Sequence, residues 1–343
     1  MTHMNNQSRL LRGAVVAAFG MAVAALASAP SNAQQPLTMK FATLTLNDVQ
    51  HENLKLYKAE LEKVTNGQIK VEVYPAGQLG GAPRQTEGLR LGTIEAAMGP
   101  PELFFGADRR FQVLAMAGMF KNNEHARKVL DVPEFRKIFS DFSATRGMIP
   151  IGYHMYDHQM FVFKAPVTNL AGFAGKRIRV LASETEQASV AALGGAPVPM
   201  SLPEVVPALQ QGTIDGVSAV IGVFVPFRYN DAAANIVDTR LWALTSTAMV
   251  SKVWFDKLPA DLQKAVMETG AKFEAPLHQW QIKRIADDTK EWNDRGGKIV
   301  KLSAAEHADA EKRVQTAVQS VLDNNPPSKD LFTKLKAIAD KVN

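Results

Sequence analysis

The sequence predicts an α/β protein built from two similar lobes. Strand-like and helix-like patterns alternate almost throughout, which is typical of α/β folds with largely parallel sheets. A chain of 343 residues is long for one hydrophobic core, which favours two domains. The phrases Gly92–Glu95 (GTIE) and Gly212–Asp215 (GTID) each end a predicted helix and open a predicted strand. Two equivalent lobes would produce such a pairing.

The N-terminal half predicts three strands and two helices. Gln50–Thr65 carries apolar residues at helical spacing, and Asn66-Gly67 provides the left-handed turn that ends a helix. Ile69–Tyr74 alternates as a strand does. The other elements expected here are the strands Met39–Thr45 and Ile94–Met98 and the helix Thr86–Leu91.

The C-terminal half predicts further strands and a long helical region. Pro259–Arg295 contains one internal proline and one glycine, and is expected to form one or two helices. About 35 residues would span roughly 50 Å, enough to cross both lobes. The remaining strands are expected at Ile149–His154, Gln159–Phe163, around Arg179, Ala196–Met200, Val217–Phe224 and Ala248–Phe255, and the closing helices at Ser303–Asn324 and Ser328–Val342.

The first 33 residues predict a secretory signal peptide. Arg9 and Arg12 precede the uncharged run Gly13–Ala27, and a Ser-Asn-Ala triplet marks cleavage after Ala33. An uncleaved membrane anchor is the alternative, but the apolar run is shorter than the roughly 20 residues a bilayer span needs. We therefore expect an exported protein.

Charge and cysteine content exclude several classes of function. The net charge of +5 falls to +3 when the two signal-peptide arginines are removed. No basic stripe with interleaved aromatic residues accompanies it, so no nucleic-acid partner is expected. The chain has no cysteine, which excludes disulfides and thiolate catalysis, and its seven histidines lack zinc-site spacing. We expect neither a metal nor a cofactor.

Arg179 is the most informative candidate residue. It lies within an otherwise apolar strand pattern, followed by a helix, a short strand and another helix. A guanidinium stays protonated at physiological pH and presents a rigid fork of donors that matches a carboxylate. At a strand end lining a cleft, Arg179 would be an anion receptor. The alternative is a structural ion-pair partner.

Several segments share a family pattern in order and spacing. They are TNGQIKVEVYPAGQLGG and GLRLGTIEA in the first half, GKRIRV, LGGAPVPM and PEVVPALQQGTIDG in the second, and SKVWFDKLPADLQKAV near the C-terminus. In these segments the chain resembles the extracytoplasmic solute-binding proteins of TRAP transporters (the DctP family). The resemblance covers nearly the whole chain after residue 33.

The resemblance implies a periplasmic binding protein fold with two lobes, a central ligand cleft and a long helix spanning both lobes. The lobes would comprise residues 34–154 plus 245–285 and residues 155–244 plus 286–343. It further implies a monomeric periplasmic receptor that closes on an organic acid and delivers it to the membrane subunits of a TRAP permease. The family's hallmark arginine, which pairs with the ligand carboxylate, matches Arg179.

The chain departs from the family pattern in ways that bear on the ligand. A second arginine, common in relatives near Tyr156–Gln159, is replaced by Tyr-Asp-His-Gln. The Gln-Glu-Asn that often follows the Asp-Gly turn is replaced by Val217-Ser218-Ala219, and Gly99–Glu102 replaces a polar position. We therefore expect a monocarboxylate with an apolar or aromatic body.

The candidate site extends beyond Arg179 to residues at other predicted strand ends. His158 and Gln159 are expected to hydrogen-bond a second polar group, and Glu102 to pair with Arg179 or with the ligand. Each aromatic candidate has ordinary core packing as its alternative. The full set is Arg179, Glu102, His158, Gln159, Tyr156, His51, Ala219, Pro100 and Phe224.

Two other classes remain as alternatives. An exported hydrolase is disfavoured because the sequence has no GxSxG elbow, no zinc signature and no cysteine. A binding protein of an ABC transporter would have a similar fold but different membrane partners.

Overall fold

A computed structural model describes residues 36–343, and two β-sheets organise them. The predicted signal peptide, residues 1–33, lies outside the described residues. The first sheet has the strand order β2 (Ile69–Tyr74), β1 (Leu37–Thr43), β3 (Ala96–Gly99), β10 (Ala243–Ser251), β4 (Met148–His158). The second has the order β11 (Lys298–Lys301), β9 (Asn235–Asp238), β5 (Met160–Phe163), β8 (Gly216–Ala219), β6 (Arg177–Val180), β7 (Ala196–Pro199).

Twelve α-helices belong to the described part of the chain. They are α1 (Val49–Val64), α2 (Ala82–Leu91), α3 (Asn123–Leu130), α4 (Pro133–Ala144), α5 (Glu184–Ala192), α6 (Val205–Gln211), α7 (Ile221–Phe224), α8 (Lys252–Phe255), α9 (Ala260–Lys272), α10 (Glu274–Asp294), α11 (Ala304–Asp323) and α12 (Pro326–Ala339). Short 3-10 helices lie at Pro101–Phe104, Arg109–Ala115, Leu170–Phe173, Leu202–Glu204 and Tyr229–Asp231.

Both sheets are mixed, whereas the sequence predicted largely parallel sheets. In the first sheet β10 runs antiparallel between β3 and β4, and in the second β5 runs antiparallel between β8 and β9. The chain passes directly from β4 to β5 through the single residue Gln159. β4 and β5 belong to different sheets, and each antiparallel pair joins strands that are far apart in the sequence, so the strand directions have no local signature.

The local signals for α1, β2 and the helix ends are confirmed. Asp48 caps α1 by accepting a hydrogen bond from the His51 backbone N–H at 3.0 Å. Gly92 and Gly212 end α2 and α6 with φ of 74° and 71°, a conformation that glycine adopts without a steric penalty. The repeated GTI phrase therefore marks the same helix-to-strand turn in both halves.

Three predicted strands have different bounds in the structure. β4 continues through Met155–His158, which were expected to form a polar break, because these residues pair with β10. The expected strand Val217–Phe224 ends at Ala219 and is followed by α7. The expected strand Ala248–Phe255 is displaced towards the N-terminus, since Lys252–Phe255 forms α8.

The long helical region forms two helices that meet at Phe273. α10 has 21 residues, which at about 1.5 Å per residue gives roughly 32 Å. It contacts α1 and β4 beside the first sheet, and α7 and β11 beside the second. This helix therefore spans both halves of the fold, as predicted.

The chain passes from one sheet to the other at positions that differ from the expected lobe boundaries. Divisions after residues 154 and 244 would cut β4 and β10, both of which lie wholly in the first sheet. The helix α12, expected in the second lobe, packs against α4 and Arg109–Ala115. We call the first sheet with the helices packed on it the first lobe, and the second sheet with its helices the second lobe.

A close approach between α9 and β4 predicts that Gly270→Ala is strongly destabilising. A Cβ atom at Gly270 would lie 1.7 Å from the carbonyl oxygen of Ile151. Backbone atoms must move apart to relieve this overlap, so the free energy of unfolding should fall by about 3 kcal/mol. Urea unfolding followed by circular dichroism measures the change.

The matched control is Gly106→Ala, because a Cβ at this exposed position would have nothing within 4 Å. Equal stability changes for the two substitutions would contradict the close packing of α9 on β4.

Candidate ligand-binding site

A cavity of about 40 Å³ lies between the two sheets. Both lobes contribute to its wall, at the ends of strands β1, β3, β6 and β8. In α/β sheets, ligands bind at such carboxyl ends of strands. The lining residues are Leu44, Thr45, Gln50, Pro100, Leu103, Tyr156, Gln159, Arg179, Leu181, Leu202, Ser218, Ala219, Val223 and Leu244.

Arg179 carries the only charged side chain among the described residues that line this cavity. The residue is 2% exposed. Its Nε donates to the carbonyl oxygen of Met200 at 2.9 Å, and its Nη1 donates to that of Ser218 at 3.4 Å. Its Nη2 is buried and has no hydrogen-bond partner within residues 36–343. Two nitrogen atoms of the guanidinium therefore bind backbone carbonyls, while the N–H groups of Nη2 remain available to a ligand.

Glu186, in the first turn of α5, accepts hydrogen bonds from the polar groups on one side of the cavity. Its Oε1 accepts hydrogen bonds from Gln159 Nε2 at 3.0 Å and Ser218 Oγ at 2.6 Å. Its Oε2 accepts from the Leu181 backbone N–H at 2.7 Å. Burial raises the pKa of Glu186, and the positive charge of Arg179 opposes that shift. Burial likewise lowers the pKa of Arg179, and Glu186 opposes it.

Glu186 was not predicted as a site residue, although the sequence carries a signal for it. Ser183 and Glu186 have the spacing of a capping box, and the Ser183 side chain does accept from the Glu186 backbone N–H. The Glu186 carboxylate binds Gln159 and Ser218 instead of returning to the cap. Its burial in a long-range network depends on the fold and has no local signature.

Gln50 provides a second unpartnered donor, from the opposite lobe. Its Oε1 accepts a hydrogen bond from Thr43 Oγ1 at 2.9 Å. Within the part of the chain that the structure describes, its buried Nε2 has no partner. A buried polar group left unpaired costs about 1–3 kcal/mol. A ligand that accepts from both Gln50 and Arg179 would remove that cost.

Tyr156 forms part of the cavity wall, and its hydroxyl group is already hydrogen-bonded to the protein. The hydroxyl donates to the carboxylate of Asp48, the N-cap of α1, and the Tyr156 carbonyl accepts from Gln281 Nε2 of α10 at 2.7 Å. Burial raises the pKa of Tyr156 well above its ordinary value. The ring therefore joins the first lobe to the spanning helix.

Five of the nine predicted site residues line the cavity together: Arg179, Tyr156, Gln159, Pro100 and Ala219. Phe224 does not, because it lies in the core with its ring centre 5.7 Å from that of Tyr229 and 6.2 Å from that of Trp292. The neighbouring Val223 takes the place expected for Phe224. The predicted aromatic lining is thus largely aliphatic.

The two histidine candidates lie outside the cavity wall. His51 Nδ1 accepts a hydrogen bond from the Asn47 backbone N–H at 3.1 Å, so this residue serves the turn before α1. The half-buried His158 has a pKa lowered to about 4 by burial and by the positive charge of Arg240. It is therefore uncharged at neutral pH.

Glu102 also lies outside the wall, and it forms no ion pair with Arg179 in the described chain. It is 3% exposed, and its Oε2 has no partner among the residues described. Burial, with a contribution from the charge of Glu186, raises the pKa of Glu102 to about 8. This carboxyl is therefore largely protonated at neutral pH, and the expected pairing with Arg179 is corrected.

Arg177, two residues before Arg179, has a structural role. Its side chain donates to both carboxylate oxygens of Asp215, at 2.9 and 2.7 Å, and to the Gly212 carbonyl oxygen. The hydrogen bond from Arg177 lowers the pKa of Asp215 to about 2. This pair fastens β6 to the turn before β8.

A larger groove of about 490 Å³ lies on the first lobe, beside α3, β4 and α10. Its charged residues are paired with one another or with neighbours: Arg127 with Glu124 and Asp131, and Glu274 with Arg136. The cavity at Arg179 is the better anion site despite its smaller volume, because its cation retains a buried donor without a partner in the described chain.

Within residues 36–343, no cluster of three or more histidine, aspartate or glutamate side chains has a metal-binding arrangement. None of the described helices combines the length and the apolar character that a membrane crossing requires.

Comparison with known proteins places these features in a family. Residues 41–325 match the family described as bacterial extracellular solute-binding protein, family 7 (DctP). The C4-dicarboxylate-binding periplasmic protein DctP of Rhodobacter capsulatus is 28% identical over 269 residues, covering 76% of this chain and 79% of the relative.

Solved structures of TRAP periplasmic solute-binding proteins share the fold. One from Desulfovibrio salexigens, with bound orotic acid, has a TM-score of 0.84 at 18% identity, covering 89% of this chain and 99% of that one. One from Haemophilus influenzae, with bound L-gulonate, has a TM-score of 0.82 at 23% identity, covering 88% and 99%.

The buried carboxyl of Glu102 predicts a specific pH dependence of stability. Its pKa is about 8 in the folded protein, against about 4.3 in an unfolded chain. Between these values the folded state binds more protons, so the free energy of unfolding falls as pH rises. Glu102→Gln removes this dependence, and its stability relative to the unsubstituted protein should rise by on the order of 3 kcal/mol from pH 5 to pH 8.

Chemical denaturation at several pH values measures that difference. Glu134→Gln, at an exposed position in α4, is the matched control and should show no such trend. A constant difference for Glu102→Gln across the range would show that Glu102 is ionised throughout.

Proposed function

The chain belongs to family 7 of the bacterial extracellular solute-binding proteins, and on that premise we propose that it is the periplasmic receptor of a TRAP transporter for a short aliphatic monocarboxylate. The observation that carries this proposal is the buried Nη2 of Arg179, which has no partner in the described chain. A charge-assisted hydrogen bond to a carboxylate is worth about 1.5–3 kcal/mol. Family membership identifies a binding protein and not an enzyme.

The charge balance of the cavity supports a single carboxylate. Of the described lining residues, Arg179 alone carries a charge. A second ligand carboxylate would be buried without a cation, which is strongly unfavourable. The dicarboxylate that the Rhodobacter capsulatus relative is named for is therefore disfavoured here.

The shape and polarity of the wall support a small aliphatic body. Aliphatic side chains from both lobes face the polar group around Arg179, and Tyr156 is the only aromatic residue in the described wall. In the described wall, the buried polar side-chain atoms without a partner belong to Gln50, Gln159 and Arg179. A sugar acid would leave several of its hydroxyl groups unpaired against aliphatic side chains, which is unfavourable, so this wall favours a short aliphatic acid.

Hydrogen bonds between the lobes support the proposal that this is the closed form of the receptor. The Ala82 backbone N–H donates to Ser201 Oγ at 3.1 Å, and the Thr185 backbone N–H donates to Gln112 Oε1, also at 3.1 Å. We propose that the chain hinges at Gln159 and residues 239–242, where it changes sheets. Ligand binding would favour closure because it satisfies donors from both lobes at once.

The remaining parts of the proposal follow from the family. The receptor would be exported by a signal peptide cleaved after Ala33, act as a monomer in the periplasm, and present its closed form to the membrane subunits of the permease. Nucleic acid has no part in this role. An ABC-type binding protein is the second candidate, and the family match supports the TRAP assignment over it.

Substituting Arg179 should weaken binding without unfolding the protein. The test ligand is 3-methylbutanoate, a branched five-carbon monocarboxylate, with succinate as the dicarboxylate comparison. We expect the unsubstituted protein to bind 3-methylbutanoate more tightly than succinate in calorimetry. Arg179→Lys retains the charge but loses the fork, and should weaken binding by about tenfold to a hundredfold.

Arg177→Lys is the matched control, since it makes the same change on the same strand at the Asp215 pair. Its affinity for 3-methylbutanoate should be unchanged. Equal affinities for Arg179→Lys and the unsubstituted protein would remove Arg179 from the site, and tighter binding of succinate would overturn the monocarboxylate assignment.

A further inference from the structure

Gln159 presents an unpartnered acceptor at the cavity. The residue is 2% exposed and joins the two sheets. Its Nε2 donates to Glu186 Oε1 and to Ser218 Oγ. Its Oε1 is buried and has no hydrogen-bond partner in residues 36–343. A carbonyl oxygen in this state is satisfied only by a donor from outside the described chain.

Glu186 determines which way the Gln159 amide points. The Glu186 carboxylate accepts from Ser218 Oγ at 2.6 Å and from the Leu181 backbone N–H at 2.7 Å, and it lies near the positive charge of Arg179. These contacts favour its ionised form, which accepts hydrogen bonds and has no proton to donate. With the amide reversed, Gln159 Oε1 would face Glu186 Oε1 at the distance of 3.0 Å now held by Nε2. Two oxygen atoms without a proton between them repel at that distance. The observed orientation, with Oε1 free, is therefore the stable one.

Ser218 places this acceptor next to the carboxylate anchor. Arg179 Nη1 donates to the backbone carbonyl of Ser218, and Gln159 Nε2 donates to the hydroxyl of the same residue. The two ligand-facing groups therefore flank one residue of β8. Arg179 and Gln159 also line the same cavity, so a ligand with its carboxylate on Arg179 would have its adjacent carbon atom on the side of Gln159.

We propose that the receptor selects 2-hydroxy acids, with the ligand hydroxyl donating to Gln159 Oε1 while the carboxylate binds Arg179. This inference rests on the proposed function and names the class of monocarboxylate. A hydroxyl donor fits better than an ammonium group, because a second cation would lie beside the Arg179 guanidinium. A 2-oxo group offers only an acceptor, and would meet the Gln159 oxygen without a hydrogen bond.

Four ligands of the same carbon skeleton test the selection. Calorimetry with the full chain compares 2-hydroxy-3-methylbutanoate, 3-methylbutanoate, 3-methyl-2-oxobutanoate and valine. We expect the hydroxy acid to bind about tenfold to a hundredfold more tightly than 3-methylbutanoate, since it satisfies a buried acceptor. The oxo acid should bind no more tightly than 3-methylbutanoate, and valine less tightly than the hydroxy acid.

Gln159→Met tests the residue itself. This substitution keeps the length of the side chain but removes the acceptor, so the preference for the hydroxy acid over 3-methylbutanoate should fall to near unity. Gln50→Leu is the matched control at the other cavity glutamine. It should weaken both ligands alike and preserve their ratio.

Glu186→Gln tests whether Glu186 fixes the orientation of the Gln159 amide. The amide introduced at position 186 can donate to Gln159 Oε1, which allows the Gln159 amide to reverse. The ratio of hydroxy-acid to oxo-acid affinity should therefore fall. A merely structural role of Glu186 would weaken all ligands without moving that ratio.

The outcomes separate this inference from the proposed function. Equal binding of the hydroxy acid and 3-methylbutanoate, or tighter binding of the oxo acid or valine, overturns the hydroxyl selection and leaves the receptor role intact. Binding of none of the four overturns both. The unsubstituted protein decides these outcomes even if Gln159→Met does not fold.

Discussion

The buried guanidinium of Arg179 is the interaction on which the rest of the site depends. Burying a charge is costly unless it is paired and hydrogen-bonded. The protein meets part of that requirement with two backbone carbonyls and the nearby negative charge of Glu186. It leaves Nη2 without a partner in the described chain, and we propose that an anionic ligand completes the site. In this proposal, the affinity and the charge selectivity of the receptor both depend on the hydrogen bonds that Nη2 makes to the ligand.

The topology brings the other ligand-facing groups to that cation. β4 and β10 belong to the first sheet, and the chain enters the second sheet immediately after β4. Gln159 therefore lies at the changeover, where Glu186 and Ser218 hold its amide. Gln50 faces the cavity from the first lobe. The contact between the lobes thus brings together donors, an acceptor and an aliphatic wall that are separate in the sequence.

The sequence allowed much of the fold and the anchor to be predicted, but little of the network around it. Arg179 was identified as a candidate from its place in a mostly apolar strand and from the family resemblance, and α1 and β2 were predicted because their periodicity is local. The extension of β4 through His158 depends on pairing with β10, which lies about ninety residues away. Glu186 resembled an ordinary helix cap, and Phe224 a cavity aromatic, because burial is a property of the assembled fold.

A crystal structure of the protein with its tightest-binding short-chain acid tests the central claim most directly. We predict that a ligand carboxylate oxygen lies about 3 Å from Arg179 Nη2, inside the cavity between the sheets, with no other cation contacting it. A carboxylate bound elsewhere, with Arg179 Nη2 paired to a protein group instead, would contradict this account.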